Sequence, residues 1–188
     1  MVRTGADFLS AKISRGFDML DADGNGVLDE DDHVAMGKRS AEALGHSAGS
    51  PEQQRIVDVY LRIWREVHLP HLPPGQTAIG REEFIAATAA LAGDPAAARA
   101  TLGAVASAFL EIADIDSDGR ITPAEFRTFQ HAHFPELSRA DADIAFAHLD
   151  VDGDGCLTPG EFVDATIGYW TTTDPDAPAN WWLGPIRL

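Results

Sequence analysis

The apolar positions of the chain fall at helical spacing, in blocks separated by short polar intervals. Leu9, Ile13, Phe17 and Leu20 share one face of a helix expected over 7–20. Asp29 or Glu30 opens a second helix that runs to about Leu44, and Gly45–Gly49 reads as a linker. Ser50 then caps a third helix, with Pro51 at its first position and Gln53 as the capping-box partner. Its stripe is wide: Ile56, Val59, Tyr60, Ile63, Trp64 and Val67. A fourth helix covers roughly 81–92, and Gly93-Asp94-Pro95 breaks and restarts the chain. Leu102, Val105, Phe109 and Ile112 give the next core face. Thr122-Pro123-Ala124-Glu125 and Thr158-Pro159-Gly160-Glu161 each open a helix with a capping box. Pro135 and Ser138 separate those two helices from one another, and the intervening one carries Ile144, Phe146 and Leu149. The pattern predicts an all-α fold.

The polar intervals carry the chemistry. Asp150-Val151-Asp152-Gly153-Asp154-Gly155-Cys156-Leu157-Thr158-Pro159-Gly160-Glu161 has carboxylates at positions 1, 3, 5 and 12, glycine at 6 and an apolar residue at 8. That spacing is the EF-hand calcium loop. A hard cation needs about 6–8 oxygens, so a short loop must curl and aim several of them inward. Asp150, Asp152 and Asp154 supply side-chain oxygens, Cys156 only its carbonyl, and Glu161 both carboxylate oxygens. Residues 114–125 repeat every feature, and residues 21–32 all but the last, where Asp32 replaces Glu. Counting back from Glu83 places a further loop at 72–83. Leu72, Pro74, Gln76 and Thr77 then occupy positions 1, 3, 5 and 6, so the ligand oxygens are gone, while Ile79 still holds position 8. Position 8 residues pair across a short antiparallel ribbon joining two loops. Leu28 is therefore expected opposite Ile79, and Ile121 opposite Leu157. The fold class is four EF-hands in two pairs, the second hand degenerate, with segments at 1–92, 93–170 and 171–188.

Charge narrows the partners. The formal net charge is −16, which argues against nucleic acid and anionic membrane surfaces. Three Ca²⁺ would leave −10. The single Cys156 excludes an internal disulfide and fits a reducing compartment. The first residues contain no apolar signal segment, and no run of about 18 apolar residues predicts a span. A cytoplasmic monomer is expected, with calcium ions as partners and no identified protein target.

The tail is unusual: Asp174-Pro175-Asp176-Ala177-Pro178-Ala179-Asn180-Trp181-Trp182-Leu183-Gly184-Pro185. Two adjacent tryptophans are costly to leave in water, so the tail is expected to fold back over the hands. This ending, with two pairs of hands and a degenerate second site, resembles the sarcoplasmic calcium-binding proteins, especially the bacterial calerythrins. The resemblance covers nearly the whole chain. It implies a compact globule, a buffering or transport role and no enzymatic activity. It also implies the ligand sets Asp21, Asp23, Asn25, Val27 (carbonyl) and Asp32; Asp114, Asp116, Asp118, Arg120 (carbonyl) and Glu125; and Asp150, Asp152, Asp154, Cys156 (carbonyl) and Glu161. Asp29, Thr122 and Thr158, at position 9, would act directly or through water.

Asp32 is one methylene shorter than Glu, so the first site is expected to bind Ca²⁺ more weakly or to tolerate Mg²⁺, which prefers six ligands. His68 and His71, or His131 and His133, lack the further ligands a zinc site needs and read as solvated or capping residues. Cys156 has no adjacent base and reads as inert. Two rival functions remain beside the buffer. A sensor would expose a Met-lined groove, and only Met1, Met19 and Met36 are present. A photoprotein-like ligand binder would need a cavity of His, Trp and Tyr, for which Tyr60, Trp64, Tyr169 and Trp170 are candidates.

Overall fold

Thr4 starts the first helix. Its hydroxyl accepts the Asp7 N–H, and the Asp7 carboxylate accepts the Thr4 N–H, so two orphan donors are satisfied reciprocally. This box sets the start of α1 (Gly5–Leu20), two residues before the apolar pattern alone places it. The computed structural model describes residues 4–135 and 137–186; the outermost ends of the expected first and last segments, 1–3 and 187–188, lie outside the described residues.

Asp29 caps α2 (Glu30–Ala43). Ser50 caps α3 (Pro51–Arg62) by accepting the Gln53 N–H. The return bond differs from expectation: the Gln53 side chain accepts the Gly49 N–H at 2.7 Å rather than that of Ser50. Helix α3 also does not run on as α-helix to Val67. It widens into a π-helical turn, Ile63–His68, and ends in a 3₁₀ turn, Leu69–His71. Pro70 explains this, because its ring and missing N–H are incompatible with a regular helix through residue 66.

Leu28 of β1 (Val27–Leu28) lies opposite Ile79 of β2 (Ile79–Gly80) in an antiparallel ribbon. Ile121 and Leu157 exchange both backbone hydrogen bonds, at 2.9 and 2.8 Å. Both expected pairings are present. Between and after them run α4 (Arg81–Ala90), α5 (Pro95–Ala113), α6 (Pro123–His133), α7 (Arg139–Leu149) and α8 (Pro159–Thr171). By length and composition alone α5 could cross a membrane; here it packs against α8, α6 and α3. Ile144 is a correction: it is 46 % exposed. The inner face of α7 is Ala142, Ala145, Phe146 and Leu149, a complete i, i+3, i+4, i+7 set from which Ile144 is displaced.

One hydrophobic cluster joins both halves, from Leu9, Phe17 and Trp64 to Phe126, Phe162 and Tyr169. The tail completes it. After a 3₁₀ turn at Pro178–Trp181, Trp182 and Leu183 are buried, Trp182 edge-on to Phe162 with ring centres 4.7 Å apart. Trp181 stacks on His148. The backbone of the tail is held by side chains from the helices. Lys12 donates to the Thr172 carbonyl and the Asn180 side chain, Arg15 to the carbonyls of Leu183 and Pro185, and Gln130 to that of Trp182. A Cβ on Gly168 would come within 2.6 Å of Ala179, so α8 needs glycine where the tail crosses it.

Candidate functional site

Each acidic loop is shaped by its own carboxylates. The first-position aspartate accepts backbone N–H groups from the far side of the loop: Asn25 and Gly26 to Asp21, Asp118 and Gly119 to Asp114, Gly153 and Gly155 to Asp150. The sixth-position glycines Gly26, Gly119 and Gly155 have φ of 88°, 82° and 87°, the left-handed region that spares a residue without Cβ. The fourth positions are also left-handed: Gly24, Gly153 and, at φ 60°, Ser117. Ser117 is thus a strained residue in loop 114–125, which the spacing did not reveal.

The twelfth residue does three jobs. Glu125 accepts the Ile115 N–H with one oxygen, and the Thr122 N–H and hydroxyl with the other. Glu161 does the same with Val151 and Thr158. Asp32 takes the Ala22 and Asp29 N–H groups at 2.8 and 3.0 Å. Each carboxylate therefore staples the loop's second residue to the helix cap, at the position where an EF-hand loop carries its last ligand. Their electrostatics differ. Burial pushes Glu125 and Glu161 up, but the bonds from Thr122 and Thr158 and from the loop backbone more than offset it, and both end below the usual carboxylate range. For Asp32 burial wins and its pKa is raised, despite the same pair of backbone donors. Asp32 is 2 % exposed.

Three groups of carboxylates converge with oxygens mutually within 4.8 Å: Asp21, Asp23 and Asp32; Asp114, Asp116 and Asp118; Asp150, Asp152 and Glu161. An ion with bonds of about 2.4 Å spans oxygens up to about 5 Å apart, and an all-oxygen set is what a hard divalent cation takes. The donor sets fit calcium. Asn25 lies in the first loop with its side-chain oxygen on the Val27 N–H. Val27 is in β1, and Arg120 and Cys156 immediately precede the bridge residues Ile121 and Leu157. Glu125 and Asp154 stand outside the tightest clusters of their loops.

Loop 72–83 is closed differently. The Gln76 amide donates to Glu83 at 2.9 Å and to the Ala78 carbonyl at 3.0 Å. A neutral amide at position 5 thus engages the carboxylate at position 12, whereas each of the other loops gathers three carboxylates.

The histidines need a correction. His71 and His131 are exposed, as expected. His133 is buried, and His68 is half-buried against Trp64 and His33. Burial lowers His133 to about 4 and His68 to about 3, so both are neutral at physiological pH. The His133 Nδ1 lies 2.9 Å from the Phe129 carbonyl, which only accepts, so Nδ1 carries the proton. Tyr60 then donates to His133 Nε2 at 2.5 Å, and Ser40 to Tyr60 at 2.6 Å. The signal was present: Phe126, Phe129 and His133 share one face of α6. Phe129 and His133 border an interior cavity of about 410 Å³, walled by Met36, Tyr60, Phe109 and Trp170 among others. Of the four residues proposed from sequence, Tyr60 and Trp170 line it, while Trp64 and Tyr169 pack outside its wall.

Residues 107–130 match the EF hand family. Calerythrin of Saccharopolyspora erythraea is 28 % identical over 143 residues, 75 % of this chain and 80 % of that protein. Among solved structures, a Streptomyces coelicolor calcium-binding protein is 28 % identical with a TM-score of 0.67, over 87 % of this chain and 98 % of that one. The coelenterazine-binding protein of Renilla muelleri, in its calcium-loaded apo form, is 21 % identical with a TM-score of 0.78, over 99 % and 100 %.

Proposed function

Starting from an EF-hand calcium-binding chain similar to calerythrin, we propose an intracellular calcium buffer with three working sites and no catalytic activity. The ligands are Asp21, Asp23, Asn25, Asp32 and the Val27 carbonyl; Asp114, Asp116, Asp118, Glu125 and the Arg120 carbonyl; and Asp150, Asp152, Asp154, Glu161 and the Cys156 carbonyl. Mg²⁺ competes best at the first site. The chain acts as a cytoplasmic monomer, with 1–92 and 93–170 as paired hands and 171–188 as their plug. Its acidity disfavours nucleic acid and anionic membranes as partners.

One observation carries the buffer over the sensor. The apolar interior that a sensor would open is already covered from within the chain, by Trp182 and Leu183, each 3 % exposed. A buffer binds ions without presenting a groove. ANS fluorescence measured on the folded protein before and after Ca²⁺ tests this. A small change is expected, and a large calcium-dependent rise refutes the buffer in favour of the sensor.

The interior cavity supports a second reading, a photoprotein-like ligand binder. Its volume of about 410 Å³ lies within the range of about 300–1,000 Å³ usual for small-molecule sites, and its wall carries Tyr60, His133 and Trp170. Incubation with a coelenterazine-type ligand, followed by absorbance and light measurement on adding Ca²⁺, decides. Light emission establishes the second reading, and unchanged ligand absorbance removes it.

A further inference from the structure

Loops 114–125 and 150–161 have the same four carboxylates at the same positions, yet a cation touches only one of the two sets among the described residues. The Arg120 guanidinium reaches across the Ile121–Leu157 bridge and pairs with Asp154 at 3.0 Å. The other oxygen of Asp154 accepts the Cys156 N–H at 3.0 Å, so both are engaged. Asp118 holds the equivalent position in its own loop and has no cationic partner among the described residues. The residue that would mirror Arg120 there is Cys156, whose side chain is not a cation. The clusters differ accordingly: Asp118 stands within 4.8 Å of Asp114 and Asp116, whereas Asp154 is not in the group formed by Asp150, Asp152 and Glu161. No other described ion pair touches a carboxylate of the three sets.

We propose that Arg120 is an affinity-setting residue for the neighbouring loop: its side chain holds Asp154 and weakens calcium binding at 150–161. The inference rests on the proposed calcium sites. The sign follows from charge. The two loops carry eight carboxylates in all, and two Ca²⁺ would halve that negative charge. A fixed cation beside them is attracted more strongly before the ions arrive than after, so it stabilises the metal-free state and opposes binding. At its own loop Arg120 contributes a backbone carbonyl, which a substitution keeps. Otherwise similar loops are thereby given different affinities, loop 114–125 filling before loop 150–161.

Arg120→Gln tests it. A unit charge about 6 Å from a divalent ion in water-like surroundings is worth about tenfold in binding, and partial screening brings this to roughly three- to tenfold. Calorimetry in a Glu125→Gln background, which silences loop 114–125, should show Ca²⁺ binding at 150–161 tightened by that factor on adding Arg120→Gln. Arg120→Lys should stay near the parent. The gain should shrink in about 0.5 M KCl, a response that a merely structural role for Arg120 would not give. The metal-free Tm should fall in Arg120→Gln while the calcium-loaded Tm does not. Unchanged or weaker binding overturns the inference, as does a tightening indifferent to salt. If 150–161 binds no calcium in the unsubstituted chain, the proposed function falls; normal binding with no response to Arg120→Gln removes this inference alone.

Discussion

Lys12 is fully buried in α1 and has no carboxylate partner among the described residues. Its ammonium donates to the Thr172 carbonyl and to Asn180, and lies 5.2 Å from the ring centres of Phe8 and Tyr169. Desolvation lowers its pKa from 10.5 to about 8. The unfolded chain keeps the higher value. Below pH 8 both states are protonated and the fold carries the full cost of the buried charge. Above pH 8 the folded chain sheds the proton first, so stability rises with pH until about 10.5. Integrating between pH 7 and pH 9 gives about 1.3 kcal/mol, or roughly 4 °C in Tm for a chain of this size. Other titrating groups move stability too, so the comparison is with Lys12→Met, which removes this proton alone. Urea unfolding of both proteins, calcium-loaded, should show the wild type gaining about 1.3 kcal/mol over the variant between those pH values. Parallel pH profiles would refute a desolvated ammonium at the tail junction.

Further outcomes follow from the same contacts. Asp32→Glu should tighten calcium binding at the first loop about tenfold by calorimetry, by restoring the missing methylene and a second ligand oxygen; unchanged affinity would remove the argument from side-chain length. Gly16→Ala places a Cβ inside the edge of the Trp170 ring, and should cost about 1–3 kcal/mol in urea unfolding and alter tryptophan emission. Tyr60→Phe leaves Ser40 and His133 Nε2 without their shared partner, and should cost about 1–3 kcal/mol with the helical circular dichroism retained; no loss would mean water replaces the hydroxyl.

What the sequence disclosed is what short spacing encodes. The loops and the caps at Asp29, Thr122 and Thr158 follow from residues within twelve positions of one another, and the Leu28–Ile79 and Ile121–Leu157 pairings from the shared eighth position of each loop. Burial of the tail followed from the cost of exposing Trp181 and Trp182. The interior was less legible, because its polar members have distant partners. Lys12 meets residues some 160 positions away, and a lysine on a helix reads as solvated unless the fold supplies acceptors. His133 meets Tyr60 across 73 positions, and the hydroxyl that satisfies its Nε2 belongs to α3. Ile144 misled in the other direction: its bulk suggested the core, but the small residues Ala142 and Ala145 are what the close approach of α7 admits. Arg120 was named for its carbonyl, and its side chain acquires a role only where the bridge sets it beside Asp154.

Calcium titration calorimetry on the unsubstituted chain, repeated in millimolar Mg²⁺, measures the central claim directly. Three ions per chain are expected, with Mg²⁺ competing chiefly at the first loop and no fourth ion at the loop closed by Gln76 and Glu83. Binding of fewer than two ions, or of a fourth, would contradict the account.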